Sequence, residues 1–171
     1  MGNEVTLRAP VPLDRTHDLS FFSSGVPGSD DWLKRRALTS QDSGTARTFV
    51  ACDGDKVVAY YALASGGVVG SHVPARLRRN MPDPIAVAIL ARLAIDTSHQ
   101  RRGLGRALVQ DAARRVMNAA GSVGIRGILV HAISDEARHF YTALGFDASP
   151  LDPTTLVISL ADLREAIRPK G

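Results

Sequence analysis

Between Ile85 and Ile95 the chain reads IAVAILARLAI, an apolar run with Arg92 as its one polar interruption. A stretch of that length with no polar face predicts a strand covered on both sides, in the middle of a sheet. The period then changes. Leu104, Leu108, Ala112 and Val116 fall on one stripe at helical spacing, with Arg106, Arg114, Arg115 and Asn118 around the other faces. That spacing predicts an amphipathic helix over 104–120, closed by Gly121 and Gly124. A buried strand, a glycine-containing turn and a helix make an α/β unit around which the other segments must be arranged.

Upstream, Ser29-Asp30-Asp31 offer capping oxygens and first-turn acids ahead of Trp32–Leu38. They predict a helix whose inner stripe is Trp32, Leu33 and Ala37. Thr48–Cys52 and Val57–Leu63 flank Asp53-Gly54-Asp55 as a hairpin. A glycine-rich stretch around Ser65-Gly66-Gly67 leads to the basic segment Arg76-Leu77-Arg78-Arg79-Asn80, stopped by Pro82 and Pro84. Downstream come a strand over Ile125–Ala132, a helix over Asp135–Leu144 capped by Ser134 and ended by Gly145, and a strand over Thr155–Leu160. Pro169 breaks a short terminal helix. The order is that of an α/β domain on one sheet, with no linker dividing residues 1–171.

Composition removes several classes. With 171 residues, 44% hydrophobic and 22% charged, the chain has the balance of one globular domain. No apolar run approaches the ~20 residues of a membrane span. The start, Met1-Gly2-Asn3-Glu4, has no basic-then-apolar leader. Cys52 stands alone, which excludes a disulfide framework and points to a reducing, cytoplasmic setting; mid-strand, it reads as a small core residue. His17, His72, His99, His131 and His139 show no ligand spacing, and no metal is expected. The net charge of +4 rests on 18 Arg and 3 Lys. Two readings are open: high-GC coding, or an Arg-rich surface for a phosphate-bearing ligand, since guanidinium binds phosphate bidentately.

The turn Gln100-Arg101-Arg102-Gly103-Leu104-Gly105 is the most informative segment. A glycine loop feeding directly into a helix presents free main-chain N–H groups at the positive end of the helix dipole, a ready site for phosphate or diphosphate. A Cβ at Gly103 or Gly105 would hold the anion away. No Gly-Lys-Ser/Thr follows, so this is not a Walker A loop, and Leu108 breaks a dinucleotide-type GxGxxG.

Gln-x-x-Gly-x-Gly after one strand, followed by Ala137-Arg138-His139-Phe140-Tyr141-Thr142-Ala143-Leu144-Gly145-Phe146 after the next, resembles the GNAT N-acetyltransferases. Four further segments are similar to the toxin branch of that family, the TacT-like acetyltransferases of type II toxin–antitoxin pairs. They are Asp31-Trp32-Leu33-Lys34, Ala46-Arg47-Thr48-Phe49-Val50, Arg78-Arg79-Asn80-Met81-Pro82-Asp83-Pro84-Ile85 and Leu90-Ala91-Arg92-Leu93-Ala94-Ile95-Asp96. The loop motif is generic to the family; the last two segments are much more specific. The resemblance covers residues 5–160.

It implies a single GNAT-type domain: a mixed, mostly antiparallel central sheet with splayed middle strands, flanked by helices. It also implies acetyl-CoA as cofactor and acetylation of the α-amine of aminoacyl-tRNA, blocking translation. Main-chain N–H groups of Leu93, Ala94 and Ile95 would then receive the thioester carbonyl and the pantetheine arm. Gln100, Arg101, Arg102, Gly103, Leu104, Gly105 and Arg106 would hold the diphosphate, with Phe140 also at the cofactor. Tyr141 would be the general acid for the thiolate. Lys34, Arg35, Arg36, Arg78, Arg79 and Arg92 would contact tRNA phosphates. The implied partners are a ribbon-helix-helix antitoxin, operator DNA reached only through it, and a second copy of the chain in a homodimer.

No carboxylate lies between Ile85 and Ile95. An α-amine has a pKa near 8 that an adjacent ester lowers further, so a large fraction is neutral at pH 7–8 without a base, whereas a lysine near 10.4 is overwhelmingly protonated; this absence favours an aminoacyl ester, although Asp96, just past the strand, could still act through water. Each residue also has a structural alternative. Arg35 and Arg36 could be a solvated helix face, and Arg92 could form an internal salt bridge. Tyr141 could be a core aromatic, and Phe21, Phe22 and Trp32 could be core or dimer contacts. Two other functions compete: a GNAT acting on a small-molecule or protein amine, and a non-enzymatic CoA-binding or DNA-bound regulator.

Overall fold

The computed structural model describes residues 7–167; the expected helix break at Pro169 lies outside them. In chain order the elements are β1 (Val11–Pro12), α1 (Pro27–Arg35), α2 (Ala37–Ser43), β2 (Arg47–Asp53), β3 (Lys56–Val68), α3 (Ala75–Arg78) and β4 (Ile85–Ile95). They continue with α4 (Leu104–Ala120), β5 (Gly127–His131), α5 (Asp135–Ala143), β6 (Asp147–Ala148), β7 (Thr155–Ser159) and α6 (Leu160–Ile167). Single 3-10 turns occupy Gly70–His72 and Thr97–His99. The strands form one seven-stranded sheet in the order β1-β2-β3-β4-β5-β7-β6. The β4–β5 pair is parallel, while β1–β2, β2–β3, β5–β7 and β6–β7 are antiparallel. This is the mixed, mostly antiparallel sheet the resemblance implies.

The chain divides into two compact units, each made of two separate stretches. One comprises the chain up to Ala64 with Arg92–Asp111, the other Ser65–Ala91 with the chain from Ala112 onward.

In the first unit the β2–β3 hairpin runs in register from Arg47↔Leu63 to Asp53↔Lys56, with a bulge between Ala51 and Cys52. Leu13, Phe22, Leu33, Ala37, Val50, Val57, Tyr60 and Ala94 form its core. Tyr60 is the hub: Phe22 meets it edge-on at 5.5 Å and Trp32 stacks on it at 6.0 Å. Its hydroxyl donates to the Ser29 carbonyl at 2.6 Å. Leu33 and Ala37 are fully buried, as the inner stripe requires, and Phe22 is core. Phe21 is exposed, with the Lys56 ammonium 4.7 Å from its ring centroid.

Two local readings need correction. The expected helix start at Ser29–Asp31 lies two residues upstream, with Val26 as N-cap and Pro27 in the first turn, where its fixed φ suits a helix and its missing N–H costs nothing. Asp30 instead accepts from the Ser24 N–H and hydroxyl, at 3.0 and 2.6 Å. The helix read through Leu38 is also two helices, broken at Arg36, whose backbone (φ −121, ψ −28) leaves the helical region.

In the second unit β5 pairs with β7 along its full length, Gly127↔Ser159 to His131↔Thr155. The β4–β5 register spans only Ala88–Leu90 against Ile128–Val130, and β4 continues to Ile95 beyond it. Val68, Val73, Leu77, Ile85, Val87, Leu129 and Val157 form this unit's core, with Met81 and Ile89 packed against it. The glycine-rich Ser65–Gly67 stretch continues β3 as far as Val68, beyond the strand end expected at Leu63. Ser134 caps α5 as read, accepting from the Ala137 N–H at 3.0 Å, and Gly145 follows with φ +106.

Candidate active site

The strand end and the loop after it are braced before the helix begins. Asp96 caps the short 3-10 turn: its carboxylate accepts from the Ser98 N–H and hydroxyl and from the Ser23 N–H. Burial pushes this carboxyl up, but the three hydrogen bonds outweigh it and hold the group below the usual carboxylate range. An anion so engaged is a brace and a poor base. Gln100 provides a second brace, its amide donating to the Ile95 and Ser24 carbonyls at 2.8 Å each. The structure thus ties the expected cofactor strand, Leu93–Ile95, to the expected cofactor loop. Gln100 therefore acts on the loop's shape.

Arg101 and Gly103 both take left-handed backbone, φ +64 and +79. For Arg101 that costs on the order of 1–2 kcal/mol; for Gly103 it costs little. The excursion turns the chain into α4, whose first internal bond here runs from the Ala107 N–H to the Gly103 carbonyl at 3.2 Å. The amides of Leu104, Gly105 and Arg106 precede it and have no intrahelical acceptor. Arg101, Arg102, Gly103 and Arg106 are exposed, and a Cβ placed on Gly103 meets no atom within 4 Å. Open space in front of unpaired amides at a helix start is the environment a diphosphate needs.

Tyr141 stands on α5, 6% exposed. Its ring is held edge-on between Phe140 at 5.0 Å and Phe146 at 5.4 Å. Burial raises the phenol above its ordinary value, so the proton stays on through the neutral and mildly alkaline range. The enclosed side-chain atoms without a partner among the described residues are Thr48 Oγ1 and His99 Nε2. The Tyr141 hydroxyl is not one of them. Its ring is part of the core. Phe140 is half-buried beside it.

The basic residues divide by setting. Lys34, Arg35 and Arg36 are exposed at the end of α1, and Arg78 and Arg79 are exposed at the end of α3. Arg92 is half-buried, with its guanidinium over the Trp32 ring at 5.6 Å from the centroid. Among the described residues the partner of this strand arginine is a π face and not the carboxylate of an internal salt bridge. Trp32 thus contacts both Arg92 and Tyr60.

The profile of the acetyltransferase (GNAT) domain matches residues 44–148, more than half of the chain. The chain belongs to the GNAT acetyltransferases. This GNAT chain is 48% identical over 159 residues to a tRNA-acetylating toxin of Mycobacterium tuberculosis, covering 93% of this chain and 96% of the relative. A probable toxin TacT of Sinorhizobium fredii is 26% identical over 165 residues, or 90% and 91% of the two chains. Among solved structures, AtaT complexed with acetyl-methionyl-tRNAfMet is similar with a TM-score of 0.87 at 26% identity, covering 95% and 99% of the two chains. The GNAT match includes the loop, β4 and Tyr141 but stops short of α1. The Lys34–Arg36 cluster and Trp32 lie outside the residues matched by the domain profile.

Proposed function

We propose that the chain is a toxin that transfers an acetyl group from acetyl-CoA to the α-amine of aminoacyl-tRNA and so blocks translation in the cytoplasm. The observation that carries this reading is the likeness, over nearly the whole of both chains, to a tRNA-acetylating toxin. The side-chain environments support it.

When bound, acetyl-CoA supplies an acetyl group activated as a thioester. The amides of Arg101–Arg106 hold its diphosphate, in a loop shaped by Gln100 and Gly103. The main-chain N–H groups of Leu93, Ala94 and Ile95 receive the carbonyl oxygen and the pantetheine arm, stabilising negative charge as it develops. The amine lone pair forms the new C–N bond while the C–S bond breaks. Tyr141 gives its proton to the departing sulfur. The proton lost by the amine passes to solvent, and the Tyr141 phenolate regains one from solvent, so the protons balance. Phe140 flanks the coenzyme next to Tyr141.

No dedicated base is required. β4 carries no carboxylate, and Asp96 is engaged by Ser23 and Ser98. An α-amine near pKa 8 is neutral in a large fraction of molecules at pH 7–8. Lys34, Arg35, Arg36, Arg78, Arg79 and Arg92 bind tRNA phosphates, giving salt-sensitive and sequence-tolerant affinity. The protein works as a homodimer within one domain framework. It is restrained by a ribbon-helix-helix antitoxin that carries it to operator DNA. AtaT is seen bound to the C-terminus of the antitoxin AtaR together with acetyl-CoA in a structure similar to this one at 26% identity, TM-score 0.79.

Purified protein incubated with labelled acetyl-CoA and total charged tRNA should yield N-acetyl-aminoacyl-tRNA. Tyr141→Phe, which keeps the ring and removes the proton, should lower the rate by roughly 10²–10⁴-fold. Label on lysine or small amines with the tRNA unmodified would overturn the proposed acceptor.

A further inference from the structure

The second unit contains a groove of about 510 Å³ from which the proposed tRNA contacts draw only Arg79. Arg76, Arg79, Arg126 and Arg164 surround it, over a floor that includes Leu77 and Met81. Its one lining carboxylate, Asp162, is already engaged: Arg76 donates to it at 3.1 Å and also binds Asp147. That double ion pair fixes α3 to α6 and β6. Arg79, Arg126 and Arg164 are exposed, and among the described residues none has a carboxylate within ion-pair distance. The groove therefore presents three free guanidinium groups against one neutralised acid.

The middle arginine stands on rigid backbone. The Arg126 N–H donates to the Ala86 carbonyl at 2.8 Å, and its own carbonyl accepts from the Leu160 N–H at 3.0 Å. The next residue, Gly127, admits no side chain, since a Cβ there would lie 2.3 Å from the Ile158 carbonyl oxygen. Arg126 directly precedes β5, and Tyr141 stands on α5, the helix that follows that strand.

We propose that this groove holds the phosphodiester backbone of the tRNA body, at a point removed from the acetylated 3′ end. This rests on the aminoacyl-tRNA reading and extends it. Three arginines without carboxylates match consecutive phosphates by charge and by bidentate geometry, and the apolar floor accepts ribose edges. A fragment carrying only the acylated 3′ end offers few phosphates to such a groove, whereas a whole tRNA offers a continuous phosphodiester backbone.

The test compares wild type with the Arg126→Ala/Arg164→Ala double variant on two acceptors, whole charged tRNA and an aminoacylated trinucleotide carrying only the 3′ end. The expected result is a KM for whole tRNA raised about tenfold, kcat unchanged, a slope of log KM against log salt reduced by about 2, and unchanged kinetics on the trinucleotide. Equal kinetics on whole tRNA would overturn the proposal while wild-type acetylation keeps the acceptor reading intact. So would an equal loss on both acceptors, a changed oligomeric state, or loss of binding only to an acidic antitoxin peptide. A wild type inactive on both acceptors sinks the acceptor reading itself.

Discussion

The guanidinium of Arg92 lies over the ring of Trp32, 5.6 Å from its centroid, and the same indole stacks on Tyr60 at 6.0 Å. Among the described residues no carboxylate forms an ion pair with this strand arginine, so its positive field stays available to an incoming ligand. Trp32→Leu should free the arginine and remove the stack. A double-mutant cycle of Trp32→Leu with Arg92→Met, read by urea unfolding, should give a coupling of about 0.5–1 kcal/mol. Either single variant should raise the KM for charged tRNA more than that for acetyl-CoA. Additive unfolding energies would remove the coupling.

Gln100→Ala deletes both braces of the cofactor loop. Each lost hydrogen bond is worth about 0.5–1.5 kcal/mol, so acetyl-CoA affinity measured by calorimetry should fall by roughly tenfold. The KM for tRNA should barely move. Gln100→Glu should do worse, because it sets a carboxylate against the Ile95 and Ser24 carbonyls.

The pH profile of acetyl transfer should have one ascending limb and no descending limb below about pH 10. The acceptor amine loses its proton as pH rises through about 8, which increases the rate. Tyr141 must keep its proton to act, and burial raises its pKa, so deprotonation of the acid sets in only above the ordinary phenol value. A rate that declined between pH 8 and 9 would remove Tyr141 from the role.

Asp96 should contribute to acid stability. Its folded pKa lies below the unfolded value, so its stabilisation is complete above about pH 4 and is lost as the pH falls through the folded value. Asp96→Asn should flatten the dependence of the unfolding midpoint on pH between 2 and 5. Asp14, Asp18 and Asp152 are lowered as well, so some slope should remain.

The elements that could be read in advance are those with long, unambiguous periods. Ile85–Ile95 and Leu104–Ala120 end in the structure where their patterns end. The two-residue strands β1 and β6 were not legible, because two residues have no period and pair only once a neighbour exists. The break at Arg36 was hidden because the apolar stripe continues through it from Leu33 to Ala37. At the site, Gly103 was legible from local chemistry, while the Arg92–Trp32 contact was not: it joins residues distant in the chain and depends on how α1 lies on β4. Asp96 shows the same limit. Its position just past the strand was visible, but the serines that engage it come from both sides of the molecule's longest apolar run.

Because each compact unit is stitched from two distant lengths of polypeptide, no single cut in the gene releases either one whole. Split reporters, truncation series and exchanges of contiguous cassettes between relatives will all divide both units at once. A fragment retaining half the function would require rejoining the termini and opening the chain elsewhere, and ordinary deletions in this protein should behave as all-or-nothing lesions.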